Sequence, residues 1–376
     1  MINGLRVKQA RELCKLTQTQ LARKVGVAQS TIAKMEVSVR DWPDEVVEAI
    51  AIQTGFPVSF FHQGMGPEFS LGSLLFRCRA SLSSADKTVI RQLGLLIFEL
   101  EEKLAARTKP IDLHLPSFQD ADPLEAARVT RATLGIPPDT PIPHLINRIE
   151  RNGVFVFALP HSADKFDAFS LWSDSDPRRP VIMVNGFKSG DRIRLSVAHE
   201  IGHLVLHKSP RGNLADLEKQ AYAFAREFLL PREAMKREMK RPVTLTTLAP
   251  LKPRWGVSIQ ALIRCAYELE IATEGQYKYL SEQISKLGWR RREPANLDIP
   301  LEKPRLLRKL AELNTGIPPN AKQIAAYVCS KVGLIEDILA VHASRSDLPP
   351  SEKERISKAL EDNSERPDNL LRFKRN

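Results

Sequence analysis

The sequence is poor in cysteine and has no long apolar run. Its four cysteines, Cys14, Cys78, Cys265 and Cys329, stand far apart and form no CxxC pair. Neither a disulfide framework nor a thiolate zinc site is therefore predicted. The longest apolar run, Leu93–Phe98, is far shorter than the roughly 20 residues that a bilayer requires. Charges are spread through the first residues and no apolar stretch of a signal peptide occurs among them, so we expect a soluble cytoplasmic protein.

Composition excludes a mainly disordered chain, because 43% of the residues are hydrophobic and 27% are charged. A length of 376 residues allows two or three domains. Basic residues outnumber acidic ones by 56 to 45, for a net charge of +11. This balance favours polyanionic partners, although a solvated basic surface explains it equally well.

Residues 1–62 contain several short amphipathic helical patterns, two of which are joined by a tight turn. The first runs from Gln18 to Val25, with Thr17 as its N-cap, and the second covers Gln29–Glu36. Gly26 lies between them and can adopt the left-handed conformation that ends a helix. Two short helices joined in this way are typical of a helix-turn-helix.

The segment TQTQLARKVGVAQSTIAKMEVSVR resembles the XRE (Cro/repressor-like) family of DNA-binding domains. Residues 1–40 contain eight Lys or Arg and two Glu, a net charge of +6, which suits a surface that faces phosphates. The resemblance implies a double-stranded operator, bound by a homodimer as is usual in the family. It also implies base-edge contacts from one set of residues and phosphate contacts from another. The first set is Gln29, Ser30, Thr31 and Lys34, and the second is Gln18, Arg23 and Arg40. A helical module that only dimerises is the alternative.

A linker and connecting helix are predicted over residues 63–118. Residues 84–106 have an apolar stripe that suits either a buried face or a dimer seam. Residues 119–294 mix helical patterns with three strand-like runs, ending with PVIMVN at Pro180–Asn185. Such a strand could hold an extended peptide if it lay at a sheet edge. We therefore expect a mainly helical N-terminal domain and an α+β domain with a small sheet, followed by a helical appendage over 295–376 with a polar tail.

The segment His199–His203 reads HExxH in a chain with only eight histidines. Residues at i and i+4 share one face of a helix, so His199 and His203 can direct nitrogens at one zinc ion. Glu200 can reach a water bound to that ion and accept its proton. A catalytic zinc needs a third ligand and an open position.

The third ligand is expected on the next amphipathic helix, about Leu214–Leu230. Glu218 borders the apolar stripe of this helix, 15 residues after His203. Asp216 and Glu227 are rival carboxylates. A solvated surface position is the alternative for Glu218.

The whole segment resembles the ImmA/IrrE family of zinc-dependent metallopeptidases, over about 120–294. The family pattern runs from PVIMVN through RLSVAHEIGH to the segment that begins at Glu218 and ends at Pro231, and includes RWGVSIQALIRCAYEL. The resemblance implies a zincin-like, gluzincin-type site with His199, His203 and Glu218 as ligands and Glu200 as the catalytic base. The ion is expected to be zinc, with manganese as an alternative because two His and one Glu suit several divalent ions.

One position departs from the family pattern. Asn or Asp commonly follows the alanine of the ExxA motif, where it can steady a ligand, and this chain has Tyr222. His207 completes an HLVLH run and is expected to support the ligands or the packing. Arg194, His161 and Tyr222 are candidates for stabilising an oxyanion.

Two functions from different classes suit this pattern. The first is a DNA-binding regulator with metal-dependent endopeptidase activity, which cleaves an XRE-type repressor, an antitoxin-like protein or itself in a stress or mobile-element response. The second is a transcriptional regulator whose metallopeptidase-like domain is a non-catalytic sensor of a ligand or metal. A pure sensor has no need of Glu200, so the sequence favours the first. A metal-dependent hydrolase of a non-peptide bond is a third, weaker interpretation.

Overall fold

The computed structural model describes residues 1–66, 82–106, 108–109, 111–173, 178–208 and 213–344. The first elements are β1 (Ile2–Asn3), α1 (Gly4–Leu13), α2 (Gln18–Val25), α3 (Gln29–Glu36), β2 (Val39–Arg40), α4 (Asp44–Thr54) and α5 (Val58–Phe61). They are followed by α6 (Ser84–Ala105), α7 (Pro123–Thr133), α8 (Leu145–Glu150), β3 (Phe155–Leu159), β4 (Ala168–Trp172), β5 (Pro180–Asn185), α9 (Gly190–Leu206) and α10 (Leu214–Leu229). The last elements are α11 (Arg232–Glu238), α12 (Leu245–Leu248), α13 (Leu251–Trp255), α14 (Ile259–Glu268), α15 (Glu274–Lys286), a 3-10 turn at Ala295–Leu297, α16 (Leu306–Thr315), α17 (Ala321–Tyr327) and α18 (Val332–Ala340).

The fold has the predicted composition: a helical N-terminal region, an α+β region and further helices near the C-terminus. The chain divides into two compact units, whose boundary crosses α6. Unit 1 comprises Met1–Gly64, Ile97–Lys109 and the chain from Lys303 onward; unit 2 comprises Met65–Leu96 and Pro110–Glu302. The predicted polar tail lies outside the described residues. No helix in the described ranges combines the length and the apolar character needed to cross a membrane.

The helix-turn-helix of unit 1 has the bounds that its sequence predicts. The Thr17 hydroxyl accepts from the Gln20 amide at 3.1 Å, and the Gln20 side chain accepts from the Thr17 amide at 2.8 Å. Gly26 ends α2 with φ 77°, a conformation that favours glycine. A buried ion pair between Arg11 and Glu36, at 2.5 Å, joins α1 to α3. This pairing fixes the angle of α3 against the rest of the domain.

Two residues just before α18 contact residues on either side of α5. The ammonium group of Lys331 lies 4.8 Å from the ring centroid of Phe56, which is itself buried with Phe60 and Phe61. The Gln63 amide contacts the Cys329 sulfur at 3.5 Å. The N-terminal helical region is therefore in contact with residues more than 260 positions further along the chain.

The sheet of unit 2 has three strands in the order β3-β5-β4. β3 runs parallel to β5, and β4 runs antiparallel to it. All six residues of β5, the PVIMVN strand, are buried. This strand lies in the middle of the sheet, so β4 rather than β5 is free to border the adjacent cleft.

The structure settles two predictions for helices, one for α8 of unit 2 and one for α6, which belongs to both units. The helix expected at about Ile142–Asn152 is shorter and covers only α8, because His144 adopts a left-handed φ of 48° directly before it. The apolar stripe of α6 is buried along its length, from Val89 to Leu104. This burial favours the interpretation as a packed face.

We expect unit 1 to lose stability as the pH falls from about 6.5 towards 4. Burial lowers the pKa of His342 to about 4, whereas an unfolded histidine titrates near 6.5. Below pH 6.5 the unfolded state therefore binds a proton that the folded state excludes, so the free energy of unfolding decreases by up to about 3 kcal/mol.

Hydrogen exchange of α18, corrected for its intrinsic pH dependence, measures this loss. His342→Gln should flatten the pH dependence, whereas substitution of the exposed His62 with Gln should leave it unchanged. An unaltered slope in the His342 variant would contradict the assignment.

Candidate metal centre

Helix α9 carries the HExxH motif on its buried face. Its last two turns place His199, Glu200 and His203 at 8%, 4% and 2% exposure. Since residues four apart lie one above the other on a helix, the two imidazoles project from the same face. Their Nε2 atoms lie 3.1 Å apart.

Helix α10 packs closely against α9 and supplies Glu218. A side chain at Gly202 would place its Cβ 3.1 Å from the Phe224 ring, so the absence of a side chain there permits the approach of the two helices. Asn213 begins α10 by accepting from the Asp216 amide at 3.0 Å. Glu218 then lies one turn into the helix, beside the two histidines.

Three ligand atoms converge at this point. The Glu218 carboxylate oxygens lie 3.3 Å from His199 Nε2 and 3.2 Å from His203 Nε2. Zinc ligands at about 2.0–2.1 Å and tetrahedral angles are about 3.3 Å from one another. The observed spacing of 3.1–3.3 Å therefore fits a zinc ion, and the donor set of two imidazoles and a carboxylate suits zinc or manganese.

The negative charge of the Glu218 carboxylate suits a metal ligand. Hydrogen bonds from His199 first, and then from His203, hold the pKa of the Glu218 carboxyl well below its usual range. The carboxylate is therefore already anionic where a cation would bind. The rival carboxylates are engaged elsewhere, because Asp216 bonds to Lys219 and Asn213 and Glu227 pairs with Arg128 at 3.1 Å.

Glu200 is held by a residue that the sequence analysis did not single out. The Ser170 hydroxyl in β4 donates to Glu200 Oε2 at 2.6 Å, and Ser170 is fully buried. A serine inside the otherwise apolar strand AFSLW was the signal that could have identified it. This bond fixes the orientation of a carboxylate that does not belong to the group of three ligand atoms.

A cleft of about 190 Å³ opens beside the metal-binding group. His199, Glu200, Glu218 and Tyr222 line one side, and the segment that enters β4 lines the other. That segment carries Asp167, which pairs with Arg192 at 2.7 Å. His199, Glu200 and Glu218 therefore face a groove whose opposite wall is the start of an edge strand.

Asn185, the last residue of the PVIMVN strand, holds that opposite wall. Its amide donates to the carbonyls of Ala163 and Phe166, at 3.1 and 3.0 Å, and its oxygen accepts from the Phe187 amide. Asn185 is 1% exposed. These bonds explain in physical terms why asparagine ends this strand: it clamps the loop that leads into β4.

The three candidates for oxyanion stabilisation occupy different environments. Arg194 is buried and donates to the Gly256 and Ile142 carbonyls. His161 pairs with Asp86 at 3.1 Å. Tyr222 lines the cleft, with its ring centroid 4.2 Å from that of His199.

The predicted DNA-contacting residues of unit 1 lie around the start of α3. Ser30, Gln29 and Lys34 are exposed, whereas Thr31 and Gln18 are partly buried. Gln18 accepts from Gln29 and donates to Glu36, both at 2.8 Å. Arg40 is exposed, and its guanidinium lies 4.0 Å from the ring centroid of Trp42.

Comparison with known families matches both regions. Residues 7–61 match a helix-turn-helix family model, and residues 149–266 match the IrrE N-terminal-like domain. No curated protein matches the chain significantly. Both matches are to the families that the motifs predicted, the XRE-type helix-turn-helix and the ImmA/IrrE-like metallopeptidases.

We expect about one divalent ion per chain, and we expect His199→Ala and Glu218→Ala to lose it. Each substitution removes one of three ligands, whereas Glu200→Gln alters no ligand and should retain the ion. Elemental analysis of the purified chains after incubation with zinc or manganese provides the measurement. Asp216→Asn, an exposed change on the same helix as Glu218, is the matched control; metal retained in Glu218→Ala would exclude Glu218 as a ligand.

Proposed function

We propose that the chain is a DNA-binding regulator with metal-dependent endopeptidase activity. Its substrate would be an XRE-type repressor, an antitoxin-like protein or the chain itself, in a cytoplasmic response to stress or to a mobile element. The observation that carries this proposal is the juxtaposition of a three-ligand group with a buried, oriented carboxylate at an open cleft.

Glu200 is the proposed general base. When bound, a zinc ion would supply the Lewis acidity that activates a water and polarises a peptide carbonyl. Glu200 lies beside the ligands and would accept the proton of the attacking water at its carboxylate, then pass it to the departing amine. The Ser170 hydroxyl, at 2.6 Å from Oε2, restricts this carboxylate to one orientation, which is the arrangement that proton transfer requires.

An extended peptide suits the cleft. β4 is an edge strand among the described residues, since β5 borders it on one side only. A substrate segment added along such an edge would form main-chain hydrogen bonds and place one peptide bond beside the metal-binding group. The clamp formed by Asn185 keeps the entry to this strand fixed before substrate arrives.

Glu200 also favours a peptidase over a non-catalytic sensor. A sensor would use the three ligands, but it has no role for Glu200, a second carboxylate buried beside them at 4% exposure. Burial of an anionic carboxylate is costly unless it is hydrogen-bonded, and Ser170 provides such a bond. A buried carboxylate that lowers the stability of the fold is expected where the carboxylate takes part in catalysis.

We expect Glu200→Gln to lower cleavage by at least about 100-fold while the bound metal remains, because an amide cannot accept the proton. The zinc-loaded full chain would be incubated with purified XRE-type repressors, and alone, and the products identified by mass spectrometry. Glu233→Gln, at an exposed position of α11, is the control and should cleave like the parent. Cleavage that persists in Glu200→Gln would contradict this mechanism. A metal-loaded parent that cleaves none of these proteins would favour the non-catalytic sensor.

The helix-turn-helix is proposed to bind double-stranded DNA as a homodimer. The exposed side chains of Gln29, Ser30 and Lys34 are suited to the major groove, and Gln18 and Arg40 to the phosphates that flank it. Partly buried Thr31 lies at the edge of this surface. The hydrogen bonds from Gln29 to Gln18, and from Gln18 to Glu36, hold the amides in place before DNA binds.

Lys34→Ala should weaken binding to a random-sequence DNA duplex and lower the salt dependence of the binding constant by about one unit of slope, since one charge near the phosphates is lost. Fluorescence anisotropy over a series of salt concentrations measures both effects. Lys309→Ala, on α16 of the same unit, removes an equal charge outside the helix-turn-helix. Equal slopes for the two variants would place the DNA-binding surface elsewhere.

A further inference from the structure

The cleft beside the metal-binding group is long enough to hold several residues of an extended peptide. Along α9 its lining extends from His199 back to Arg192, two turns of helix or about 10 Å. The opposite wall is formed by the chain that leads into β4. An extended peptide advances about 3.3 Å per residue, so about three of its residues span the distance from His199 to Arg192.

Two contacts show that β4 and α9 run side by side in the same direction. Ser170 bonds to Glu200 at 2.6 Å. Asp167, three residues earlier on the strand side, pairs at 2.7 Å with Arg192, which is eight residues earlier on the helix. Three extended residues and eight helical residues advance by about 10 and 12 Å. The two walls therefore remain adjacent from the metal-binding group to the Arg192 pair.

The end of the cleft away from the metal-binding group has an excess of positive charge. This far end is formed by Lys165, Asp167 and Arg192, two cations against one anion. The Arg192 side chain is 46% exposed, whereas that of Asp167 is 17% exposed. A substrate side chain that reaches the far end therefore meets the guanidinium before the carboxylate.

The lining between the two ends carries no charge. It consists of Phe166, Ala168, Leu195 and Ser196. A charged side chain of the substrate can therefore be paired in two places, beside the metal-binding group or at the far end. Since the metal-binding group is where the peptide bond would lie, the far end is the place for a substrate side chain of defined charge.

Asp167 holds Arg192 in place without using all of its donors. Arg192 Nε lies 2.7 Å from Oδ1 of Asp167, and Nη2 donates to Oδ2 at 3.0 Å. A guanidinium has five N–H donors, so three remain, and among the described residues none of these three has an acceptor. A guanidinium that is already fixed loses less side-chain freedom when it binds a carboxylate.

We propose that Arg192 is a specificity-determining residue, which favours a substrate with an acidic side chain about three residues from the cleaved peptide bond. The inference rests on the proposed function, because it assigns a substrate class to the same cleft. The substrate carboxylate would accept hydrogen bonds from the free N–H groups of Arg192 while Asp167 keeps the guanidinium in position.

Peptide hydroxamates, which bind zinc through the hydroxamate group, are the probes. One series carries this group at the N-terminal end and the other at the C-terminal end, and each has Asp, Asn or Lys three residues from it. On the zinc-loaded full chain, the Asp peptide of one series should bind about 3- to 5-fold more tightly than the Asn peptide, as for a partly exposed charge pair. The Lys peptide should bind more weakly than both. Fluorescence anisotropy measures the affinities, and the preference should shrink in about 0.5 M salt.

Variants separate a role in specificity from a structural role of the ion pair. Arg192→Met should remove the preference for Asp over Asn, and Arg192→Lys, which keeps the charge, should restore part of it. Arg226→Met is the matched control, because Arg226 pairs with Glu268 at 2.8 Å outside the cleft, and it should keep the preference of the parent. A pair that only stabilised the fold would lower the melting temperature in Arg192→Met without changing the ratio of affinities.

Equal affinities of the parent for Asp and Asn peptides in both series would overturn the inference, as would a parent that binds neither series or a preference that survives in Arg192→Met. Cleavage of proteins by a parent without the preference would keep the peptidase proposal and reject Arg192 as its specificity determinant. The predicted order of affinities without any cleavage would uphold the acidic-peptide site and reject the peptidase proposal, so the two can fail separately.

Discussion

The contact between Gly202 and Phe224 is the constraint on which the candidate centre depends. HExxH alone supplies two ligands, and the third must come from a different helix. With any larger residue at position 202, its Cβ would lie 3.1 Å from the Phe224 ring, and the ring would have to move by a few tenths of an ångström. Metal–ligand distances vary by only about 0.2 Å, so the close approach of α9 and α10 at this glycine suits the convergence of Glu218 with His199 and His203.

The rest of unit 2 fixes the position of α9 itself. Near the start of the helix, Arg194 donates to two backbone carbonyls and pairs with Glu302 at 3.5 Å. Asp191 pairs with the buried Lys252 at 2.9 Å, and Lys252 also contacts Glu293. Removing one member of such a buried group leaves a charge uncompensated, which is strongly destabilising. The start of α9 is therefore held in place by ion pairs, and its later turns carry the HExxH motif.

The parts of the molecule that could be predicted are those governed by local rules. The bounds of α2 and α3 follow from Thr17 and Gly26, and the shared face of His199 and His203 follows from helical spacing. The edge position of β4 could not be predicted, because strand order depends on non-local pairing. Ser170 was missed for the same reason, since its role exists only when β4 packs beside α9. The contact of Lys331 with Phe56 likewise joins distant segments of the chain.

Tyr222 departs from the family pattern, and its side chain contacts a candidate metal ligand and lines the cleft. Asparagine or aspartate at this position could support a ligand, but the Tyr222 ring lies against His199 instead, at 4.2 Å between centroids. Among the described residues its hydroxyl has no hydrogen-bond partner, and the side chain is 39% exposed at the cleft. Arg194 and His161 are committed to other groups. In the proposed peptidase, the phenol would thus be the donor, of the three considered, that is available to an oxyanion in the cleft, where a hydrogen bond made only in the transition state would accelerate cleavage.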